Sequence, residues 1–214
     1  MRISLTLLIF LFISCKQDAE KKSATEIKEN LEISKTENIK IEPQAEPNTL
    51  VESFKEFRNA IYQRDKVKVK EFIDFPIYND NNEIWYLGNM ADDEFFKKAG
   101  DKVIPFPETE FDKYYDKIFS NYFLRGILKI KTGILFSKGE FETIELTDKD
   151  TKFKIYATYN DKENEIILNL AIESPIKVND GENDSIENSE SNVIYYFKIE
   201  NGKDIRFKQI RVAG

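Results

Sequence analysis

Beyond the first fifteen positions, every aromatic side chain lies between residues 48 and 214, and this confines where a core can form. The chain carries 17 Phe, 10 Tyr and one Trp, of which only Phe10 and Phe12 fall elsewhere. Aromatic rings bring the most apolar area per residue, so 48–214 reads as one globular domain of ordinary size. Residues 16–47 hold eight acids, six Lys, no aromatic, and Pro43 and Pro47 near their end. Such a segment cannot bury enough apolar surface to offset its ordering entropy, and it reads as a flexible tether. As a random coil it would span roughly 30 Å root-mean-square.

Composition removes most familiar chemistry. The chain has no His and a single Cys. A Ser-His-Asp triad, a Cys-His dyad and an imidazole metal site are therefore out of reach, as are an internal disulfide and a paired-Cys redox or zinc motif. No cofactor or metal is implied. A net charge of −7 lacks the basic footprint of a general nucleic-acid binder, so nucleic acid is not an expected partner.

The N-terminus gives the address. Arg2 precedes an apolar run from Ile3 to Ile13, then Ser14 and Cys15. Eleven helical residues would rise about 16 Å, well short of a ~30 Å hydrocarbon core, so a signal peptide over 1–14 fits better than a spanning helix. Phe12-Ile13-Ser14-Cys15 resembles the lipobox of bacterial lipoproteins, with Phe12 standing where Leu is usual. The resemblance implies that Cys15 is lipidated and becomes the first mature residue, anchoring the chain to a membrane. Lys16 rather than Asp follows, which in that family implies the outer membrane. Lys16-Gln17-Asp18-Ala19-Glu20 also resembles the surface-export signal of Bacteroidetes lipoproteins, leaving the periplasmic face and the cell surface both open.

Within 48–214 the expected order is helices first, strands later: an α+β domain with N-terminal helices packed on a curved antiparallel sheet. Thr49-Leu50-Val51-Glu52 has capping-box spacing, and Leu50, Phe54, Phe57 and Ile61 follow a helical period. Asp65 is placed to cap a second short helix bearing Val69, Phe72 and Ile73. Pro76 makes Phe75-Pro76-Ile77 extended. Glu83 to Leu87, around Trp85, predicts a strand, and Asp92-Asp93 a short helix ending near Gly100. Phe111, Tyr114, Tyr115, Ile118, Phe119 and Tyr122 predict one helical core stripe. From Leu128 onward alternation predicts strands: Phe153, Ile155, Ala157 and Tyr159, then Ile166, Leu168, Leu170 and Ile172, joined by a turn over 160–164. Val193, Tyr195, Phe197 and Ile199 lead to Asn201-Gly202, a strong hairpin signal. The returning strand has Ile205 and Phe207 on one parity but Ile210 and Val212 on the other, which predicts a bulge near Lys208-Gln209.

The run from Phe54 to Ile61, the turn at Asp65 and Val69 to Ile73 are similar to nuclear transport factor 2-like domains. That resemblance implies a cone of helices and bent sheet around a central pocket. Phe75-Pro76-Ile77, the Tyr114 to Phe119 helix and Val212-Ala213-Gly214 also look like lipoproteins of Flavobacteria-type organisms. Enzymes of the fold usually carry Asp/His or Tyr/Asp pocket sets, and the first is precluded here.

Most of the remaining motif candidates have an ordinary structural explanation. Ser174 and Lys177 match a Ser-x-x-Lys spacing, but with 11 Ser and 26 Lys about one match arises by chance. Asp180, Glu182, Asp184 and Glu187 fail the calcium-loop pattern, since Ser185 and Ser191 stand at its sixth and twelfth positions. Asp184-Ser185-Ile186 resembles the O-glycosylation motif of Bacteroidetes secreted proteins, implying modification of Ser185 in an exposed loop. Asp92-Asp93-Glu94 and Asp148/Asp150 read as helix-start and turn acids. Lys203, Arg206, Lys208 and Arg211 read as protection of an edge strand. Trp85, Tyr78 and Tyr86 are the best candidates to line a pocket, each combining apolar area with a polar tip. The expected function is a non-enzymatic binding or accessory module for another envelope protein or a small apolar ligand. The alternative is a pocket enzyme using Asp/Tyr acid–base chemistry.

Overall fold

The computed structural model describes residues 49–87, 90–179 and 184–214, all within one compact unit of the chain. The signal peptide, Cys15 and the tether expected over 1–47 lie outside the described residues, as do Asp180 and Glu182. The domain is α+β: seven described helices and a curved, unclosed antiparallel sheet of six strands.

Helix α1 (Leu50–Gln63) starts at Thr49, whose Oγ1 accepts the Glu52 N–H at 3.2 Å, and buries Phe54, Phe57, Ala60 and Ile61. It stops at Arg64 in the left-handed conformation, and Asp65 then caps α2 (Lys66–Lys70) by accepting from Lys68 N–H. Helix α4 (Asp93–Ala99) is capped by Asp92 and stopped by Gly100, whose φ of +55° suits glycine. These boundaries follow the sequence signals.

Three expectations are corrected. Glu83 to Leu87 is not a strand but a single turn, α3 (Glu83–Tyr86), because Ile84 and Trp85 are both buried and a strand would turn one of two neighbours outward. The aromatic stripe is split between α5 (Glu108–Ile118) and α6 (Asn121–Ile127). Ser120 Oγ accepts the Phe123 N–H and begins a new helix, which carries Tyr122. The stretch after Leu128, expected as strand, holds α7 (Thr132–Lys138), closed by Gly139 at φ +81°. The turn between α6 and α7 is held from outside. Arg58 of α1 donates to Ile130 O at 2.9 Å, to Thr132 Oγ1 at 2.7 Å and to Leu128 O at 3.4 Å.

The strands are β1 (Glu140–Glu142), β2 (Leu146–Asp148), β3 (Thr151–Asn160), β4 (Glu165–Asn179), β5 (Asp184–Glu200) and β6 (Asp204–Ala213). They run β1-β3-β4-β5-β6, with β2 beside β1 on the same flank of β3. Phe153, Ile155 and Ala157, then Ile166, Leu168 and Leu170, then Tyr195, Phe197 and Ile199 face the helices and are buried. The alternate residues, among them Ile167, Asn169, Ile194 and Tyr196, are half-buried on the other face. Asn201 and Gly202 both adopt positive φ, and Lys203 N–H closes the turn on Glu200 O. Tyr196 pairs with Gln209 but Phe197 pairs with Phe207, so Lys208 is the extra residue of the expected bulge. Val212, on the switched parity, is 41% exposed rather than core.

The space between helices and sheet is filled by rings. Phe57 lies 5.0 Å from Phe197, Phe123 lies 4.1 Å from Tyr195, and Phe119 reaches Phe207 at 5.9 Å, all centroid to centroid. Each of these six side chains is almost wholly buried.

Strand β6 ends the sheet, yet its outward amides are paired. Ile205 N–H donates to Ser53 Oγ, Phe207 N–H to Phe72 O, Ile210 N–H to Asn79 Oδ1 and Val212 N–H to Glu83 Oε2. Two basic residues of this strand share their acidic partners. Lys208 meets Asp74 at 2.6 Å and Glu200 at 3.6 Å, and Arg206 meets the same two acids at 3.8 Å. At the other end of the hairpin, β4 beyond Glu173 and β5 before Asn192 pair only with each other among the described residues, forming a two-stranded arm. Pro175 is tolerated there because that stretch of β4 is an edge.

Candidate functional site

The three aromatic residues singled out by sequence part company in the structure. Trp85 and Tyr86 are neighbours on one helical turn and therefore point apart. Trp85 turns into the core, 7% exposed, with Nε1 donating to Ile104 O at 3.0 Å and its ring against Phe95 and Phe106. Tyr86 turns outward, 51% exposed, and stacks on Phe96 at 4.0 Å with the planes 6° apart. Tyr78 is exposed and lies outside the depression that Tyr86 lines.

That depression holds about 650 Å³, inside the ~300–1,000 Å³ range of small-molecule sites. Tyr86 and Phe96 provide its aromatic surface; Asp80, Asp101, Lys102 and Arg211 provide its charges. Three separate stretches of chain meet here, and two buried asparagines hold them. Asn79 donates through Nδ2 to Asp80 O and Ile210 O, both at 2.9 Å, and accepts from Ile210 N–H at 2.8 Å, fixing the 80–82 turn to β6. Asn82 donates to Lys102 O at 3.0 Å and accepts from Ile104 N–H at 2.6 Å, fixing the same turn to the stretch after α4. Asn81 and Asn82 are consecutive left-handed residues, at φ 56° and 57°. Asparagine tolerates this conformation better than most residues, because its short side chain can bond locally.

The four charges stand apart from the ion-pair networks of the rest of the surface. Among the described residues, Asp80, Asp101, Lys102 and Arg211 form no ion pair, and the Arg211 guanidinium instead lies 5.8 Å from the Tyr196 ring centre. A second depression, of about 350 Å³ on the sheet face turned away from the helices, is different. Its Lys154 is paired with Glu142 at 2.7 Å and its Lys152 with Glu173 at 4.0 Å.

The other candidates fall to structural roles. Ser174 and Lys177 lie three apart on β4, so their side chains leave opposite faces and cannot meet. Asp92 is the cap of α4, and Asp148 pairs with Arg125 at 3.4 Å. Ser185 is exposed, but it sits at the start of β5 paired with Val178 rather than in a loop. A Tyr–Asp pair does occur: Tyr159 Oη donates to Asp161 at 2.7 Å on an exposed hairpin turn. This contact raises the Tyr159 pKa, chiefly through the hydrogen bond, the wrong direction for a catalytic base. Among the described residues, burial raises the carboxyl of Glu165, the half-exposed first residue of β4, with Glu163 nearby.

Sequence reasoning found Tyr86 but missed Asp80, Asp101, Lys102 and Arg211 as a group. Asn-Asp-Asn-Asn at 79–82 was the available signal, a polar run too short for an element and rich in residues that accept positive φ. Comparison with protein-family models and with curated proteins gives no match to this sequence.

Proposed function

We propose that the protein is a non-catalytic binding or accessory module, tethered to the bacterial outer membrane by lipid on Cys15 and shaped as a nuclear transport factor 2-like cone. The observation that carries this reading is the filled interior. Phe57, Phe119, Phe123, Tyr195, Phe197 and Phe207 are almost wholly buried and pack on one another between helices and sheet, which supports a packed core rather than an open central pocket in the proposed cone. Ligand or partner therefore meets the domain from outside, and the concave, unpaired surface around Tyr86 is the place for it. Among the described residues, no helix is long and apolar enough to cross a membrane, which is compatible with attachment through the N-terminal lipid. Ser185 remains a proposed site of O-glycosylation, exposed near the start of β5.

Crosslinking in intact cells of the producing bacterium, with Cys15→Ala as control, tests the reading. The expected result is a wild-type chain that fractionates with the outer membrane and gives one dominant crosslinked partner, lost together with the membrane association in the control. A Cys15→Ala chain that stays in the membrane fraction overturns the anchor. Catalytic turnover of a small molecule that depends on a carboxylate of the domain overturns the module.

A further inference from the structure

We propose that the Tyr86–Phe96 depression is a saccharide-binding site, in which a neutral sugar lays the C–H face of one ring on Tyr86 and directs its hydroxyls to Asp80, Asp101, Lys102 and Arg211. The inference deepens the binding-module reading and rests on it.

The lining selects the ligand class by elimination. Two carboxylates and two cations cancel, so the depression has no net attraction for a phosphate, a nucleic acid or a polycation. An apolar ligand would strip water from four charged groups that have no ion-pair partner among the described residues, a cost that apolar contact with two rings does not offset. A polyhydroxylated ring meets both demands. Each hydroxyl donates to a carboxylate and accepts from an ammonium or guanidinium, and charge-assisted hydrogen bonds are the strong ones. The opposite face of the ring is apolar and flat enough to lie against an aromatic side chain. One face of Tyr86 is already taken by Phe96, which holds the ring in a fixed plane, and the residue as a whole is 51% exposed.

The walls are set before any ligand arrives. Asn82 ties the 80–82 turn to Lys102 O and Ile104 N–H, while Asn79 ties it to Ile210, next to Arg211. Two consecutive left-handed asparagines are thus held in a sparsely populated conformation by the hydrogen bonds of Asn79 and Asn82, the arrangement expected where backbone geometry serves a site. Preorganisation of this kind lowers the ordering cost of binding. The volume of about 650 Å³ accommodates more than one ring, so an oligosaccharide is the natural occupant.

The test uses the full chain, purified in a zwitterionic detergent without a sugar headgroup. Saturation-transfer NMR and calorimetry are run against cellotriose, maltotriose, mannotriose and tri-N-acetylchitotriose, with glycylglycine and inorganic phosphate as zwitterionic and anionic comparators. At least one trisaccharide should bind, with transfer concentrated on the protons of one ring face. Tyr86→Ala should weaken that binding about tenfold or more, as truncation of an aromatic anchor does, and Arg211→Gln by several-fold, with both variants still folded and melting cooperatively above the assay temperature. Absence of transfer to every trisaccharide at about 10 mM overturns the proposal, since even millimolar affinity would be seen there. So does binding that Tyr86→Ala leaves intact, or preference for glycylglycine or phosphate. No sugar but one envelope partner in the crosslinking experiment removes this site and leaves the module standing; neither sugar nor partner removes both.

Discussion

Two buried tyrosines with opposite hydrogen-bond fates show how much a single hydroxyl decides. Tyr195 is 1% exposed and donates to Ile118 O at 2.8 Å, whereas the Tyr115 hydroxyl is buried with no partner among the described residues. Tyr195→Phe removes a donor from a buried carbonyl and should cost about 1–3 kcal/mol. Tyr115→Phe removes an unsatisfied group and should be neutral or stabilising, which urea melts of the two variants will compare. Both hydroxyls also tie stability to alkaline pH. Burial pushes Tyr115 up to about 12 and Tyr195 further, while tyrosines of an unfolded chain titrate near ~10. Above that pH the unfolded state has released protons that the folded state keeps, so stability present below about 10 is lost as pH rises towards 12. Tyr115→Phe should make this decline shallower. Arg58 is the third such residue. Burial lowers its pKa, and three acceptors of the α6–α7 turn surround its guanidinium. Arg58→Met strands those acceptors and should cost about 2–4 kcal/mol by denaturant melts. Arg58→Lys, lacking the planar fork, should recover only part of it.

At the scale of elements, contact between α6 and β3 depends on the absence of a side chain. A Cβ at Gly126 would stand 2.8 Å from Ile155 Cδ1 and 2.9 Å from Cγ1. Gly126→Ala should therefore destabilise by about 1–3 kcal/mol despite alanine's better helix propensity. Adding Ile155→Val, which removes the nearest atom, should return part of the loss in a double-mutant cycle. The edge of β6 offers a second case. Asn79 is fully buried and makes three hydrogen bonds, two of them to Ile210. Asn79→Ala should cost about 2–4 kcal/mol and speed hydrogen exchange at the Ile210 amide.

These elements also mark what was legible in the sequence. Caps and turns were, because Thr49, Asp65, Asp92 and Asn201-Gly202 act through their own backbone neighbourhood. The β6 bulge was, because a switch of parity between Phe207 and Ile210 has only one remedy. The helices α3 and α7 were not: four to seven residues of mixed apolar pattern suit either period, and long-range contacts from Asn82 and Arg58 decide between them. Trp85 and Tyr86 could not be told apart before their turn was known to be helical. The charged lining of the depression comes from 80–82, 100–103 and 211, stretches with no common spacing that packing alone brings together.

At the scale of the whole molecule, the β4–β5 arm stands outside the core. Its residues 174–179 and 184–191 pair only within the arm, and Ile176 and Ile186 are 44% and 73% exposed. Replacing 175–188 by Asn-Gly would close Ser174 and Ser189, an existing cross-strand pair, with a two-residue turn. The shortened protein should melt within a few degrees of the parent, whereas a large fall would show that the arm belongs to the cooperative unit.

The paired amides of β6 bear on when the domain can finish folding. Ser53 waits for Ile205, 152 positions later, and Asn79 for Ile210, 131 positions later. Contacts so distant along the chain slow the search for the native state. Until the last strand has been synthesised, Ser53 and Asn79 lack these partners and the aromatic rings lack Phe207. The core of such a chain closes late, once its final strand is available to seal both the polar and the aromatic contacts of the helical half.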